Sequence, residues 1–278
     1  MQLYHKTTFN VSKLITHKYS TSFSLATSLI EREKRQAIYS VYGFVRFADE
    51  IVDTFHDFDK KYLIDKFESD YYDAINHGIS LNPILNSFQL SVKKYNIPDE
   101  HIQAFLKSMK CDLEKKEYKT KTEANEYIYG SADVVGLMCL RIFCDGNEKL
   151  YKELVKPAMK LGSAFQKVNF LRDLKNDLEI LDRRYFPEIQ QSKFNEENKM
   201  ILVKDVENDF KMAYEGIKRL PQKSKLAVLL AYYYYKILLR KIKHTPAPEI
   251  LETRIRISNT QKMILLLKAM FVYKLNLM

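Results

Sequence analysis

IYSVYGFVRFADEIVDTF, residues 38–55, is apolar at Ile38, Val41, Val45 and Ala48 and carries Tyr42, Arg46, Asp49 and Asp53 at steps of four, three and four. The apolar spacing is that of an α-helix, and on such a helix the four polar side chains share one face. Two carboxylates one turn apart on an otherwise apolar helix repel each other and are costly to bury unless a positive charge lies between them. Glu50, adjacent to Asp49, adds to that charge. A solvated helix face would account for one such pair. A second row weakens that account: LGSAFQKVNFLRDLKNDL, residues 161–178, places Gln166, Asn169, Asp173 and Asp177 at steps of three, four and four along another apolar helix. Oxygen-bearing side chains in a row are hard donors. Two such rows facing across a cavity would bind Mg²⁺ through a few carboxylates, completed by phosphate oxygens of a substrate. Arg46, Arg172 and Lys175 lie nearby and are candidate diphosphate contacts.

Working outward, apolar residues recur at three- and four-residue spacing through most of the chain, as at Ala26, Leu29 and Ile30, which predicts long helices. Turn residues cluster at Asn82-Pro83, Ile97-Pro98, Asp145-Gly146-Asn147, from Pro187 to Asn198, at Leu220-Pro221 and from His244 to Pro248. None of these breaks is long enough for a flexible linker, and there is no fixed-period repeat. Residues 1–278 are therefore expected to form one all-α domain. Only 7 Gly and 7 Pro are present, too little material for the Gly-rich phosphate loops of nucleotide-binding α/β folds. The 19 Tyr and 16 Phe beside no Trp supply aromatic walls, for packing or for a pocket that takes a long apolar ligand.

An excess of 45 Lys and Arg over 35 Asp and Glu gives a formal charge of +10, which suits nucleic acid, anionic membrane or a phosphorylated substrate. No basic block resembles a nucleic-acid arm, so no nucleic-acid partner is expected. Cys111, Cys139 and Cys144 lack a paired framework or a metal-ligating partner, as in a reducing cytoplasm. The opening MQLYHKTTFN has neither the basic flank and apolar core nor the cleavage site of an export signal. ILLLKAMFVY, residues 264–273, is apolar but interrupted by Lys268, and a spanning helix needs roughly 20 apolar residues. It is expected to pack on the core or to touch a membrane, at its cytoplasmic face, without crossing it.

Five segments in this order resemble the squalene and phytoene synthase family, and within it bacterial phytoene synthases. They are YSTSFSLATSLI (19–30), YGFVRFADEIVD (42–53), YIYGSADVVGLM (127–138), LGSAFQKVNFLRDLKNDL (161–178) and RRYFP (183–187). The likeness is strong over residues 15–190 and weak beyond. It implies an all-α prenyl-synthase bundle with a central cavity. Asp49, Glu50 and Asp53 resemble the first aspartate-rich motif; Asn169, Asp173 and Asp177 resemble the second, with Gln166 in its polar approach. These two motifs are the implied metal ligands, and Asp49, Asp53, Asp173 and Asp177, with Tyr129 at the reacting end of the cavity, the implied catalytic set. Ser20, Ser22 and Phe23 match a Ser-rich entry segment, Arg46 a diphosphate-binding arginine, Tyr185 a tyrosine near a mobile flap, and Tyr234 and Arg254 a late tyrosine and arginine. Together with Tyr42, Gln166 and Arg172 these are the implied substrate-binding residues. Three positions depart from the family: Glu50 and Asn176 replace the usual Asp and Glu, and Asp182 stands where a glycine often lets the flap turn.

The resemblance implies head-to-head condensation of two geranylgeranyl diphosphates, through a cyclopropyl (prephytoene) diphosphate, to phytoene in carotenoid biosynthesis. Mg²⁺ is the implied cofactor, with Mn²⁺ as a substitute and no need for NADPH. The alternative within the family joins two farnesyl diphosphates to squalene, dehydrosqualene or a hydroxylated precursor. Phe23, Leu25, Ala26, Leu137 and Cys139 are candidates for setting the cavity depth that separates the two. A reading of another class is a non-catalytic assembly protein that kept the fold, although such a protein has little reason to retain both carboxylate rows. Isoprenoid diphosphates are the expected partners, with the chain a monomer or homodimer.

Overall fold

The structure, a computed structural model, describes residues 1–190, 194–275 and 277, and among them the regular elements are all helical. The first half holds α1 (Gln2–Tyr19), α2 (Thr21–Ser28), α3 (Arg32–Thr54), α4 (Lys60–His77), α5 (Pro83–Tyr95), α6 (Asp99–Glu114) and α7 (Lys121–Ile128). A single π-helical turn, Tyr129–Asp133, joins α7 to α8 (Val134–Cys144). The second half holds α9 (Glu148–Arg172), α10 (Leu174–Glu179), α11 (Pro187–Gln190), α12 (Glu196–Ile217), α13 (Gln222–His244), α14 (Ala247–Ile250) and α15 (Asn259–Lys274).

Local chemistry explains most boundaries. Asn82 caps α5 by accepting from the Ile84 and Leu85 amides, with Pro83 at the first helical position. Gly78, at φ 74°, ends α4 in the left-handed conformation that glycine adopts without strain. Asn147 caps α9, and Ser258 with Gln261 forms a reciprocal capping box on α15. Of the break expected from Pro187 to Asn198, residues 191–193 lie outside the described residues; the rest holds α11 and the Asn195 cap of α12. The structure adds breaks that no Pro or Gly announces. Ser20 turns the chain between α1 and α2 and caps α2, and Asp173 separates α9 from α10.

The helices bury two apolar clusters. In one, Phe44 of α3 stacks on Phe88 of α5 with ring centroids 4.0 Å apart and meets Phe67, Tyr71 and Phe105. The other gathers α9, α12, α13 and α15 around Val168, Val203, Phe210, Leu230 and Ile242. Between α9 and α12 the backbones approach so closely that a Cβ on Gly216 would lie 2.3 Å from Pro157 Cβ. The run Lys121–Cys144 is long and apolar enough to cross a membrane by length and composition, yet 61% of its apolar window is buried inside the protein. Val134, Leu137, Met138, Leu140 and Ile142 instead belong to the core.

Candidate active site

A cavity of about 720 Å³ lies between the two clusters. Its walls come from stripes at helical spacing: Phe23, Ala26, Thr27 and Ile30 from the α2 segment, Ile38, Val41, Tyr42 and Val45 from α3, and Val135, Gly136, Cys139, Leu140 and Phe143 from α8. The α9 wall runs from Leu154 through Ala158, Leu161 and Phe165 to Gln166, Asn169 and Arg172, so it passes from apolar to polar along one helix. Ser20, Ser22, Arg254 and Lys262 complete the polar rim. Aromatic rings face the interior in pairs: Phe23 stacks on Tyr42 at 4.9 Å and Phe165 on Tyr235 at 3.9 Å. Burial pushes the Tyr42 hydroxyl up to about 12, so it stays a neutral hydrogen-bonding group.

Next to that rim the two carboxylate rows meet. Asp53 accepts from Arg183 Nη1 at 2.7 Å, and the same guanidinium lies 3.8 Å from Asp112 Oδ2 and donates to the Asp112 carbonyl at 3.1 Å. Tyr127 donates to Asp112 Oδ2 at 2.7 Å. Arg183 is held there by a short backbone clamp, in which the Arg184 amide donates to Lys116 O and the Tyr118 amide to Arg184 O. The chain reverses into this clamp at Asp182, whose φ is 50°. The departure from glycine therefore does not prevent the turn; Asp182 is anchored instead by Lys116 at 2.7 Å. Beneath the cluster lie Tyr118, Tyr127, Phe170 and Tyr185, with Tyr185 stacked on Phe170 at 3.9 Å.

The second row is engaged by arginines at the cavity rim. Asp173 binds Arg172 Nη2 at 2.5 Å and Arg254 Nε at 2.7 Å. Asn169 Oδ1 accepts from Tyr235 at 3.2 Å, and Gln166 donates to Ser131 at 3.4 Å. Asp177 is buried. The break at Asp173 keeps the fourfold step, because the Asp177 amide still donates to Asp173 O at 3.0 Å. In the first row, Arg46 donates to Asp49 at 2.6 Å and also binds Glu50, with its guanidinium 4.5 Å from the centre of the Tyr19 ring.

Crowding raises the acids. Burial first, then repulsion by Asp53, lifts Asp49 to about 7, although 35% of its side chain still meets solvent. Burial lifts Asp112 to about 7 against the opposing pull of Arg183, and burial with repulsion by Asp173 and Asp53 lifts Asp177 to about 8. Asp112 Oδ1 is buried with no hydrogen-bond partner among the described residues. Such a cluster holds more carboxylate than its own arginine neutralises, and its donors are hard oxygens, which fits a divalent cation such as Mg²⁺. Among the described residues no three His, Cys, Asp or Glu converge into a complete metal cage. A cation there needs oxygens from water or a phosphorylated ligand, as Mg²⁺ commonly takes.

Several expectations change on this geometry. Tyr129 does not line the cavity; it is 37% exposed. Two residues on a helix turn through about 200°, so when Tyr127 points at Asp112 its neighbour Tyr129 points away. Tyr185 lies under the carboxylates and off the cavity wall, 3.4 Å from Arg183 Nη1. Arg46 is shared between Asp49 and Glu50, and these three, like Asp53, Asp173 and Asp177, lie beside the cavity and not on its wall. Lys175 donates to Glu252 O on the exposed side of α10. Of the five depth candidates, Phe23, Ala26 and Cys139 line the cavity while Leu25 and Leu137 sit on the far faces of their helices. Ser20, Ser22, Phe23, Tyr42, Gln166, Asn169, Arg172, Tyr234 and Arg254 all reach the cavity. Sequence reasoning missed Asp112, Tyr127 and Arg183. Asp112 belongs to no repeating row, whereas Tyr127 and Arg183 open the segments YIYGSADVVGLM and RRYFP, where only a partner in space marks them out.

Residues 16–261 match the family model described as squalene/phytoene synthase. Among curated proteins, the chain is 25% identical over 244 residues to the chloroplastic phytoene synthase 1 of Solanum lycopersicum, covering 81% of this chain and 59% of that one. It is 27% identical over 179 residues to the phytoene synthase of Arthrospira platensis, covering 61% and 58% of the two. The chain thus spans about three fifths of the length of these relatives. Among solved structures, a dehydrosqualene synthase in complex with ligand superposes with a TM-score of 0.83 at 23% identity, covering 97% and 98% of the two chains. A squalene synthase from Alicyclobacillus acidocaldarius superposes at 0.75 and 22% identity, covering 87% and 96%. At these identities the structural likeness is one of fold.

Proposed function

Since the chain belongs to the squalene/phytoene synthase family, we propose that it joins two isoprenoid diphosphates head to head, with two geranylgeranyl diphosphates converted to phytoene as the favoured reaction. The observation that carries this reading is the 720 Å³ apolar cavity whose polar rim adjoins two carboxylate rows. Apolar tails fit its walls, and the diphosphates belong at the rim, where Arg172, Arg254 and Lys262 offer cationic donors. Mg²⁺, with Mn²⁺ as a substitute, would be held by Asp49, Asp53, Asn169, Asp173 and Asp177 and supply Lewis-acid stabilisation of the departing diphosphate. Asp173 is paired with Arg172 and Arg254, so a cation held there would share this carboxylate with two guanidiniums that are themselves suited to phosphate oxygens.

Loss of diphosphate from one substrate leaves an allylic cation; the double bond of the second attacks it, and loss of a first proton from the resulting cation closes the ring of a cyclopropyl diphosphate that keeps the second substrate's diphosphate. A second ionisation, rearrangement and loss of a proton complete phytoene without a reductant. Phe23, Tyr42, Phe165 and Tyr235 line this path with π-faces that favour a cation and present no strong nucleophile. Tyr127, rather than Tyr129, is the phenol attached to the carboxylate cluster, and we assign it the positioning of Asp112, to which it donates. The test is incubation with Mg²⁺ and geranylgeranyl diphosphate, then farnesyl diphosphate, with and without NADPH, and identification of extracted hydrocarbons by mass spectrometry. A C40 hydrocarbon with a central conjugated triene, formed from the first substrate without NADPH, supports the proposal. A C30 product keeps the chemistry and changes the substrate, and no product with either, despite bound Mg²⁺, overturns it in favour of an assembly role.

A further inference from the structure

Helix α15 is apolar on two sides. Its inner side buries Leu265 and Ala269 against α13. Its outer side exposes Met263 (52%), Ile264 (59%), Leu267 (64%), Phe271 (60%) and, just past the helix, Leu275 (54%), which fall within about 120° of arc. This places a concentration of large exposed apolar side chains on a single helix face, where scattered single ones would need no explanation. Along the sequence the charge is of one sign: residues 253–278 contain Arg254, Arg256, Lys262, Lys268 and Lys274 and no Asp or Glu, and of these Arg254 is already paired with Asp173. Lys268 is exposed beside this arc, and Lys274 is exposed within it at the last turn, where its long stem can carry the ammonium out to the headgroups.

We propose that this face of α15 docks on an anionic lipid bilayer, lying in its interface with Leu267 and Phe271 among the acyl chains and the flanking cations on the headgroups. The occupant follows from charge and from continuity. A second copy of a chain carrying +10 would bring the same cations against these, whereas anionic headgroups neutralise them. The segment that leads into α15, Arg254 to Ile257, is cavity wall, and Lys262 in its first turn ties to Thr21 at 2.6 Å and accepts Tyr234 on its carbonyl. Docking α15 therefore brings the rim of the cavity to the lipid surface, and a tail could pass between cavity and bilayer with little exposure to water. That passage rests on the function proposed above; the docking does not.

The chain has no Trp, so Phe271→Trp introduces a sole indole reporter. Phosphatidylglycerol-containing vesicles should float the protein and shift this emission to the blue, and vesicles of phosphatidylcholine alone should do so weakly. Leu267→Glu combined with Phe271→Glu should lower vesicle partitioning by about a hundredfold or more. These side chains lie off the cavity, so hydrocarbon synthesis from detergent-dispersed substrate should persist in the double variant, and the vesicle readouts need no turnover. Absence of both flotation and blue shift with anionic vesicles overturns the proposal. So does a dimer in sedimentation velocity that the double variant splits while vesicles bind neither form, which would assign the face to a second copy.

Discussion

Replacing Arg183 with methionine removes the cation around which the carboxylate cluster is built. Arg183 is 5% exposed, and its guanidinium lies 2.7 Å from Asp53 Oδ1 and 3.8 Å from Asp112 Oδ2. Methionine keeps the apolar stem and leaves two carboxylates and a carbonyl without their donor. Breaking a buried ion pair from one side costs about 3–5 kcal/mol. Asp53 keeps 27% of its side-chain surface in solvent, so the lower end, about 3 kcal/mol, is expected where the acids are ionised. For a domain of this size that is a fall of about 6–12 °C in Tm. The dependence on pH has a definite sign. Asp112, raised by burial to about 7, and Asp177, raised by burial and repulsion to about 8, hold protons that the unfolded chain has released. Their contribution is fully present below about pH 4 and is lost as pH rises through about 7–8. Loss of Arg183 moves the Asp112 value further up and steepens that loss. Melts followed by circular dichroism in chelator should show a smaller penalty near about pH 5.5, where Asp112 holds its proton and only the Asp53 contact is lost, and the full one near about pH 8. Adding Asp112→Asn should recover part of it. A variant that melts with the wild type at the higher pH, or a shift equal at both, would refute the reasoning.

Asp49→Ala and Asp177→Ala should leave the melting temperature unchanged or higher near about pH 8, because each removes a repelled charge, while hydrocarbon formation falls by roughly a hundredfold or more. Ala26→Phe fills the cavity wall and should reduce turnover of the C20 substrate at least about tenfold more than that of the C15 substrate, measured as the ratio of kcat/KM values. Gly130→Ala would set a Cβ 1.9 Å from Ser108 Oγ and 2.6 Å from Ala104 O; urea unfolding should register a loss of about 1–3 kcal/mol or more.

Both carboxylate rows were legible before any coordinates because they repeat at helical spacing, and repetition is what a linear reading detects. Breaks at Asn82-Pro83 and Asp145-Gly146 were legible for the same local reason, since their cause lies in the residues themselves. Ser20 and Asp173 interrupt helices with no Pro or Gly at the break; Ser20 does so as the cap of α2, a role that one serine in a Ser- and Thr-rich stretch does not announce. Arg183 and Asp112 are 71 positions apart in the chain and acquire their roles only when the Lys116–Arg184 clamp brings them together. The late residues Tyr234 and Arg254, which match the family only loosely in sequence, reach the cavity because α13 and the segment after α14 close its wall. The placement of Tyr129 depended on knowing the phase of one helix, and that phase is set by the Tyr127 contact.

The π-helical turn at Tyr129–Asp133 has a geometric consequence of its own. It inserts about one residue into an otherwise continuous α-helical run, which rotates everything downstream by about 100° relative to everything upstream. Upstream, Tyr127 is aimed at Asp112; downstream, Val135, Gly136 and Cys139 are aimed into the cavity. The turn acts as a phase shifter that uncouples two directions a regular helix would lock together. One continuous strut can thereby serve the charged end of the site and the greasy wall of the cavity at once, and each can be retuned by substitution without turning the other away.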